Sequence, residues 1–185
     1  LPLHERHRLE LKSLHSREGM EMNTEDFENV DLDESAGIDL YALTYKGLWS
    51  DNAYETINVA VYDELFDYQI QKIDSRDRTS AGYDSKIRNV MIKEDLSIEI
   101  GENHLINRGF YYSTMTSKMD YFADVNEIAF SRRVLPPAID YSRKHNQLAA
   151  YLDYTAKITP KLQSRVGVRY DYSSLIDKEN VSPRV

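Results

Sequence analysis

Apolar residues recur at every second position along most of this chain, and the alternation is clearest in its last third. Over 147–159, Leu148, Ala150, Leu152, Tyr154, Ala156 and Ile158 fall on one face of a strand, and Ala149, Tyr151, Asp153, Thr155 and Lys157 on the other. Pro160 breaks this run. Over 161–172, Leu162, Ser164, Val166, Val168, Tyr170 and Tyr172 then oppose Gln163, Arg165, Gly167, Arg169 and Asp171. The same period marks 88–100, where Val90, Ile92, Leu96, Ile98 and Ile100 share a face, and 54–66, where Ile57, Val59, Val61 and Leu65 do. Further strands are predicted over 7–16, 37–48 and 104–117, and an eighth begins near Val181. No helical stripe is sustained, so the chain is expected to be all-β.

The connections sort by length. Residues 49–53 and 101–103 and Pro160 carry the chemistry of tight turns, whereas 17–36, 67–87 and 118–146 are long and polar. Short and long links alternate, which in an up-and-down meander puts all short turns at one end and all long loops at the other. Compact soluble domains rarely hold several structureless loops above about 15 residues. Most of the predicted strands also meet the roughly 9–11 residues that a tilted strand needs to cross a bilayer. The expected fold is therefore an antiparallel up-and-down transmembrane β-barrel, present as a partial open sheet of about seven or eight strands. Residues 1–185 then form part of one barrel domain.

Composition narrows the function classes. The 185 residues are 41% hydrophobic and 29% charged, and a mean hydropathy of -0.60 suits a barrel whose strands show only alternate residues to lipid. No apolar run approaches a membrane helix. A net charge of -8 speaks against a nucleic-acid partner. There are no cysteines, which excludes disulfides, thiolate metal sites and cysteine nucleophiles. Fourteen tyrosines against five phenylalanines suit surfaces that are part apolar and part wet. The opening Leu1-Pro2 and the closing Pro183-Arg184-Val185 both read as cut ends, so an internal piece of a longer polypeptide is expected.

The stretch 149–155 (Ala-Ala-Tyr-Leu-Asp-Tyr-Thr), a short turn, 166–171 (Val-Gly-Val-Arg-Tyr-Asp) and then Ser182-Pro183-Arg184 resemble, in order, barrel strands of the TonB-dependent outer-membrane receptors. Residues 103–112 (Asn-His-Leu-Ile-Asn-Arg-Gly-Phe-Tyr-Tyr) resemble another strand of that family. The resemblance implies a bacterial outer-membrane location and a barrel of about 22 strands with a plugged lumen. It also implies energy-coupled uptake of a scarce, bulky ligand such as an iron-siderophore, cobalamin or an oligosaccharide. Partners would be outer-membrane lipid, the protein's own plug domain, and the TonB energy-coupling complex. No plug, no coupling box and no aromatic-ended C-terminal strand is recognisable in this sequence.

Candidate chemistry is sparse. The link 118–146 mixes Tyr121, Phe122, Phe130 and Tyr141 with Arg132, Arg133, Arg143 and Lys144. Aromatics beside arginines suit an anionic, partly apolar ligand, so Tyr121, Phe122, Arg132, Arg133, Tyr141 and Arg143 are the candidate ligand residues. The alternative is a loop that packs its own aromatics and meets lipid phosphates. Asp31, Asp33 and Glu34 lie in an acidic run without EF-hand spacing, read as a solvated loop. His4 and His7, three apart, point to opposite faces of a strand, so no metal site or cofactor is assigned. Arg165, Arg169 and Asp171, with Asp153 and Lys157, are expected to form a cross-strand charge ladder. Tyr41, Tyr45, Trp49 and Tyr54 at the first turn, and Tyr170 and Tyr172 at the far end, are placed as interfacial girdles. The sequence carries no hydrolase elbow, phosphate loop or dinucleotide fingerprint, and no enzymatic role is assigned.

Two other classes remain open at this stage: a small closed outer-membrane barrel with a structural or adhesive role, and a soluble all-β carbohydrate-binding domain. Pairing of the first strand with the last marks the closed barrel. Burial of Leu148, Leu152, Val166 and Val168 under a second layer marks the soluble domain, whereas a membrane barrel leaves them uncovered.

Overall fold

The computed structural model describes residues 2–24, 30–73, 78–123 and 138–184. Among the described residues, nine strands follow one another in chain order across a single antiparallel sheet. They are β1 (Pro2–His4), β2 (His7–Thr24), β3 (Val30–Ser50), β4 (Ala53–Ile73), β5 (Arg78–Ile100), β6 (His104–Ala123), β7 (Ala138–Thr159), β8 (Leu162–Ser173) and β9 (Lys178–Arg184). Every neighbouring pair is antiparallel, and β1 does not pair with β9. The sheet is open, an up-and-down meander with the form of a barrel wall.

The strands run well past their predicted ends. Six of them, β2 to β7, are 18–23 residues long, against the 10–14 expected from the alternation. Most of the links read as long polar loops are instead ladder: Arg17 faces Gly37, Asp67 faces Asp84, and Lys118 faces Ser142. The reason is that backbone pairing in a hairpin continues for as long as the geometry of its neighbours allows, whatever the side chains. Polar side chains do not stop a ladder in water. The tight turns fall where expected, at residues 51–52, 101–103 and 160–161, with Gly101 at φ 63°. A further two-residue turn, Glu5-Arg6, joins β1 to β2.

No second layer covers the sheet among the described residues. Ala60 and Ala149 are its only buried apolar side chains there, while Leu11 (76%), Leu152 (51%), Val166 (56%), Val168 (45%) and Val181 (64%) stand exposed. That is the uncovered pattern, not the sandwich pattern. The sequence expectation for one face of β7 and β8 holds position by position, because Leu148 pairs with Tyr172, Leu152 with Val168 and Tyr154 with Val166.

A feature the strand-by-strand reading passed over is a change of phase. In β4 the apolar residues Ile57, Val59 and Val61 are followed by Tyr62, Phe66, Tyr68 and Ile70, while Leu65 keeps to the first face. The first set has odd numbers and the second even, so they lie on opposite faces. A bulge would cancel such a shift, but β4 pairs with β5 in one unbroken register from Ala53 to Ile73. The same change occurs in β3 between Leu40 and Tyr41, and in β5 between Ile87 and Val90. Across the sheet the apolar side therefore changes over at about mid-strand.

Call the first surface the band face. Near the short turns it carries Leu9, Leu11, Tyr45, Leu43, Ile57, Val59, Ile92, Val90, Phe110, Tyr112, Leu152, Leu148, Val166 and Val168, in ladder register. The ion pair of Arg108 with Glu94 at 3.0 Å interrupts it, as does Glu55, which accepts a hydrogen bond from Trp49 Nε1 at 2.9 Å. The band ends at a polar row that runs straight across the strands, His15–Asp39–Asp63–Arg88–Thr116–Lys144. Beyond that row the band face is mostly polar.

Exposed apolar surface on one layer leads to a direct expectation. In detergent-free buffer residues 1–185 self-associate, whereas in micelles they give a monodisperse β-sheet species with cooperative unfolding. Sedimentation and circular dichroism check this; a monodisperse protein with a cooperative melt in plain buffer would contradict it.

Candidate functional site

The face opposite the band divides into two regions, each built by the same alternation. Near the short turns it is polar. Asp153 on β7 is fully buried and accepts hydrogen bonds from Arg165 Nη2 of β8 at 2.5 Å and Arg184 Nη1 of β9 at 3.1 Å. The Arg184 guanidinium lies 5.1 Å from the centroid of the Tyr151 ring, and Tyr151 Oη donates to Asp95 Oδ1 on β5 at 2.8 Å. Arg169 forks onto Asp171 two residues along the same strand. Of the expected cross-strand ladder, only Arg165 to Asp153 crosses between strands: Arg169 and Asp171 pair along β8, Lys157 faces Gln163 in register and takes no part, and Arg184 joins from β9.

Two glycines make this network possible. A Cβ on Gly167 would lie 2.0 Å from Asp153 Oδ1, and a Cβ on Gly109 would lie 2.2 Å from the Tyr151 ring. The bare backbone at both sites lets a cross-strand side chain lie flat over it, which is how Tyr151 reaches past β6 to Asp95.

Towards the loops the same face becomes aromatic. One ladder row is Glu34–Tyr68–Tyr83–Tyr121–Ile139, and the next is Ala36–Phe66–Ser85–Met119–Tyr141. Then follow Ile38–Glu64–Ile87–Ser117–Arg143 and Leu40–Tyr62–Asn89–Met115–His145. Phe66 and Tyr83 meet edge to face at 5.8 Å, and the Arg143 guanidinium sits 5.5 Å from the Tyr141 centroid. Tyr62 donates to Glu64 at 2.7 Å. Six aromatic rings with few charges among them form a platform over β4 to β7. Such a surface offers flat π faces and phenolic hydroxyls to a bulky, ring-bearing or partly apolar ligand.

The sequence-predicted ligand residues divide on this geometry. Tyr121, Tyr141 and Arg143 stand together on the platform. Phe122 lies on the band face instead, over Gly82 of β5, because consecutive strand residues point to opposite sides. Arg132, Arg133 and Phe130 lie outside the described residues. Tyr62, Phe66, Tyr68 and Tyr83 were missed, since two of them fell in a link read as a loop; the change of phase after Val61 was the available signal. Asp31 and Asp33 share the band face and Glu34 the other, so the three do not converge on one ion. No group of three potential metal ligands occurs among the described residues.

At the band's lower edge His7, Tyr45 and Trp49 cluster, with His7–Trp49 centroids 5.5 Å apart, and His104 stacks on Tyr154 at 5.8 Å. Tyr41, expected at the turn end, instead lines its upper edge with Tyr112 and Tyr172, and Tyr170, expected at the far end, shares the row of Tyr45. Tyr54 belongs to the opposite face by its register with Leu48 and leaves the girdle. Above the band, hydrogen bonds from Arg17 and His15 hold the Asp39 carboxyl below its ordinary range, and the Arg88 fork does so for Asp63.

Comparison with protein-family models and with curated proteins gives no match to this chain.

Replacing Asp153 by Ala should cost about 1–3 kcal/mol, since two charge-assisted hydrogen bonds go and two guanidiniums lose their partner. Gly167→Val should match it by displacing the carboxylate. Urea unfolding in micelles measures both. A neutral Gly167→Val would show that the close approach of Asp153 is not needed.

Proposed function

We propose that this chain forms part of the wall of an outer-membrane β-barrel of the TonB-dependent receptor type, which takes up a scarce, bulky ligand. The observation that carries the proposal is the exchange of apolar faces at the row His15–Asp39–Asp63–Arg88. A strand that crosses a bilayer needs roughly 9–11 residues. The strands β3 to β7 have 20–23, about double that span. Lipid then covers the band, the polar opposite face lines the lumen, and the far half of each strand rises beyond the membrane.

The aromatic platform, on the lumen side of that raised half, captures the ligand before it reaches the plug. The Asp153–Arg165–Arg184 network and Tyr151–Asp95 pair give the lumen a fixed polar lining where a plug domain would dock. Energy would come from the coupling complex in the inner membrane, acting through the plug. Iron-siderophores, cobalamin and oligosaccharides all have the size and ring character that the platform suits. Open sheet edges favour this reading over a small closed barrel, and the uncovered Leu152, Val166 and Val168 favour it over a soluble carbohydrate-binding domain.

The test is uptake by cells that carry the full-length protein, with each of the three ligand classes supplied in labelled form. One class is expected to enter in a manner abolished by a protonophore. Tyr83→Ala with Tyr121→Ala should lower uptake about tenfold at unchanged outer-membrane levels, as expected for the loss of two stacking contacts. Uptake of none of the three, or uptake that resists the protonophore, would contradict the proposal.

A further inference from the structure

Beyond the ligand face, the band face carries a second surface with no partner in the fold. Immediately above the apolar band, Lys86 of β5 and Lys118 of β6 stand directly opposite one another, and Lys144 of β7 lies one row below on the next strand. All three are exposed, and none takes part in an ion pair among the described residues. Arg88, beside them, is already forked onto Asp63 at 2.7 and 2.9 Å. Like charges placed opposite each other in a ladder repel; the two rows hold no carboxylate on β5 to β7, and Asp63 of β4, on which Lys86 also acts, is already taken by the Arg88 fork. The next row outward reverses sign: Asp67, Asp84, Asp120 and Asp140 face one another across β4 to β7. That row repels an anion and so limits how far from the band one can sit.

We propose that Lys86, Lys118 and Lys144 seat the phosphate of an anionic membrane lipid whose acyl chains lie on the band below. The inference rests on the membrane reading of the band face. Charge complementarity and continuity select the occupant. An anion held here is within one to three ladder rows of Val90, Tyr112 and Leu148, close enough for a phosphate and its own acyl chains to use both surfaces at once. A protein partner would have to match a cationic row, an anionic row and a greasy band stacked within a few residues, whereas a phospholipid matches the first and third by its own structure. The aspartate row then fixes the height of the phosphate and with it the vertical position of the sheet in the membrane.

Native mass spectrometry of the full chain released from phosphatidylcholine vesicles that contain a minor share of phosphatidic acid tests this. Phosphatidic acid should be retained in preference to phosphatidylcholine. Each lysine changed to Gln should lower that preference about fivefold, and Lys86→Gln, Lys118→Gln and Lys144→Gln together on the order of a hundredfold. Circular dichroism of the triple variant should be unchanged, as the three side chains are exposed. Asp84→Asn with Asp120→Asn should strengthen retention. Inorganic phosphate should not displace the lipid; if it does, the site is one for free phosphate and the proposal fails. Retention that requires magnesium and survives in the triple variant places the lipid on the aspartates, and also overturns it. A chain that embeds in the vesicles, with Trp49 quenched by brominated acyl chains, yet shows no preference for phosphatidic acid, refutes the lipid site and leaves the membrane reading standing. A chain that does not embed at all refutes both.

Discussion

A β-sheet one layer thick buries almost nothing by itself, so the surroundings of each face must match that face's polarity. This constraint governs the whole molecule. Backbone hydrogen bonds are satisfied sideways, strand to strand, and they fix a register that runs unbroken along β4 and β5 and nearly so elsewhere. Side chains then have no freedom to choose a side. A residue's parity decides which medium it meets, and a change in the phase of the apolar pattern means a change in the medium itself.

The apolar pattern changes phase at the row through Asp39, Asp63 and Arg88. Below it, one face is aliphatic and the other holds a buried Asp153 between two arginines. Above it, the first face is mostly polar and the second carries Tyr68, Tyr83, Tyr121 and Phe66. A soluble two-layer protein has no use for such a reversal, because its core lies on the same side along the full length of a strand. A wall that stands in lipid for half its height and in water for the rest does. Within the band Arg108 pairs with Glu94, and Glu55 accepts a hydrogen bond from Trp49 Nε1, so these charges are held by partners on the same surface.

Period-two alternation made the strand order, the tight turns and the exposed face of β7 and β8 legible in the sequence, because each is a local consequence of parity. The lengths of the strands were not legible. Residues 17–24, 67–73 and 118–123 are polar or mixed, and nothing in their side chains announces a ladder that neighbouring strands impose. Misplacing those ends hid two of the platform's six rings: Tyr121, Tyr141 and Arg143 were found as loop residues by composition, whereas Tyr68 and Tyr83 needed the ladder to bring them together. Phe122 shows the limit of composition from the other side, since it is adjacent to Tyr121 in sequence and on the opposite surface in space.

If the sheet stands in a membrane as proposed, one face of it changes its medium at mid-strand. The chain has no cysteines, so single spin labels can be attached to it without side reactions. Labels at Val59→Cys and Gln69→Cys sit on the same face of β4, below and above the polar row, and Asn58→Cys sits on the other face. The measurement is their relative relaxation by oxygen and by a water-soluble nickel complex in phospholipid vesicles. Oxygen should dominate at position 59, and nickel at positions 69 and 58. Equal preference for oxygen at 59 and 69, or for nickel at both, would contradict the account.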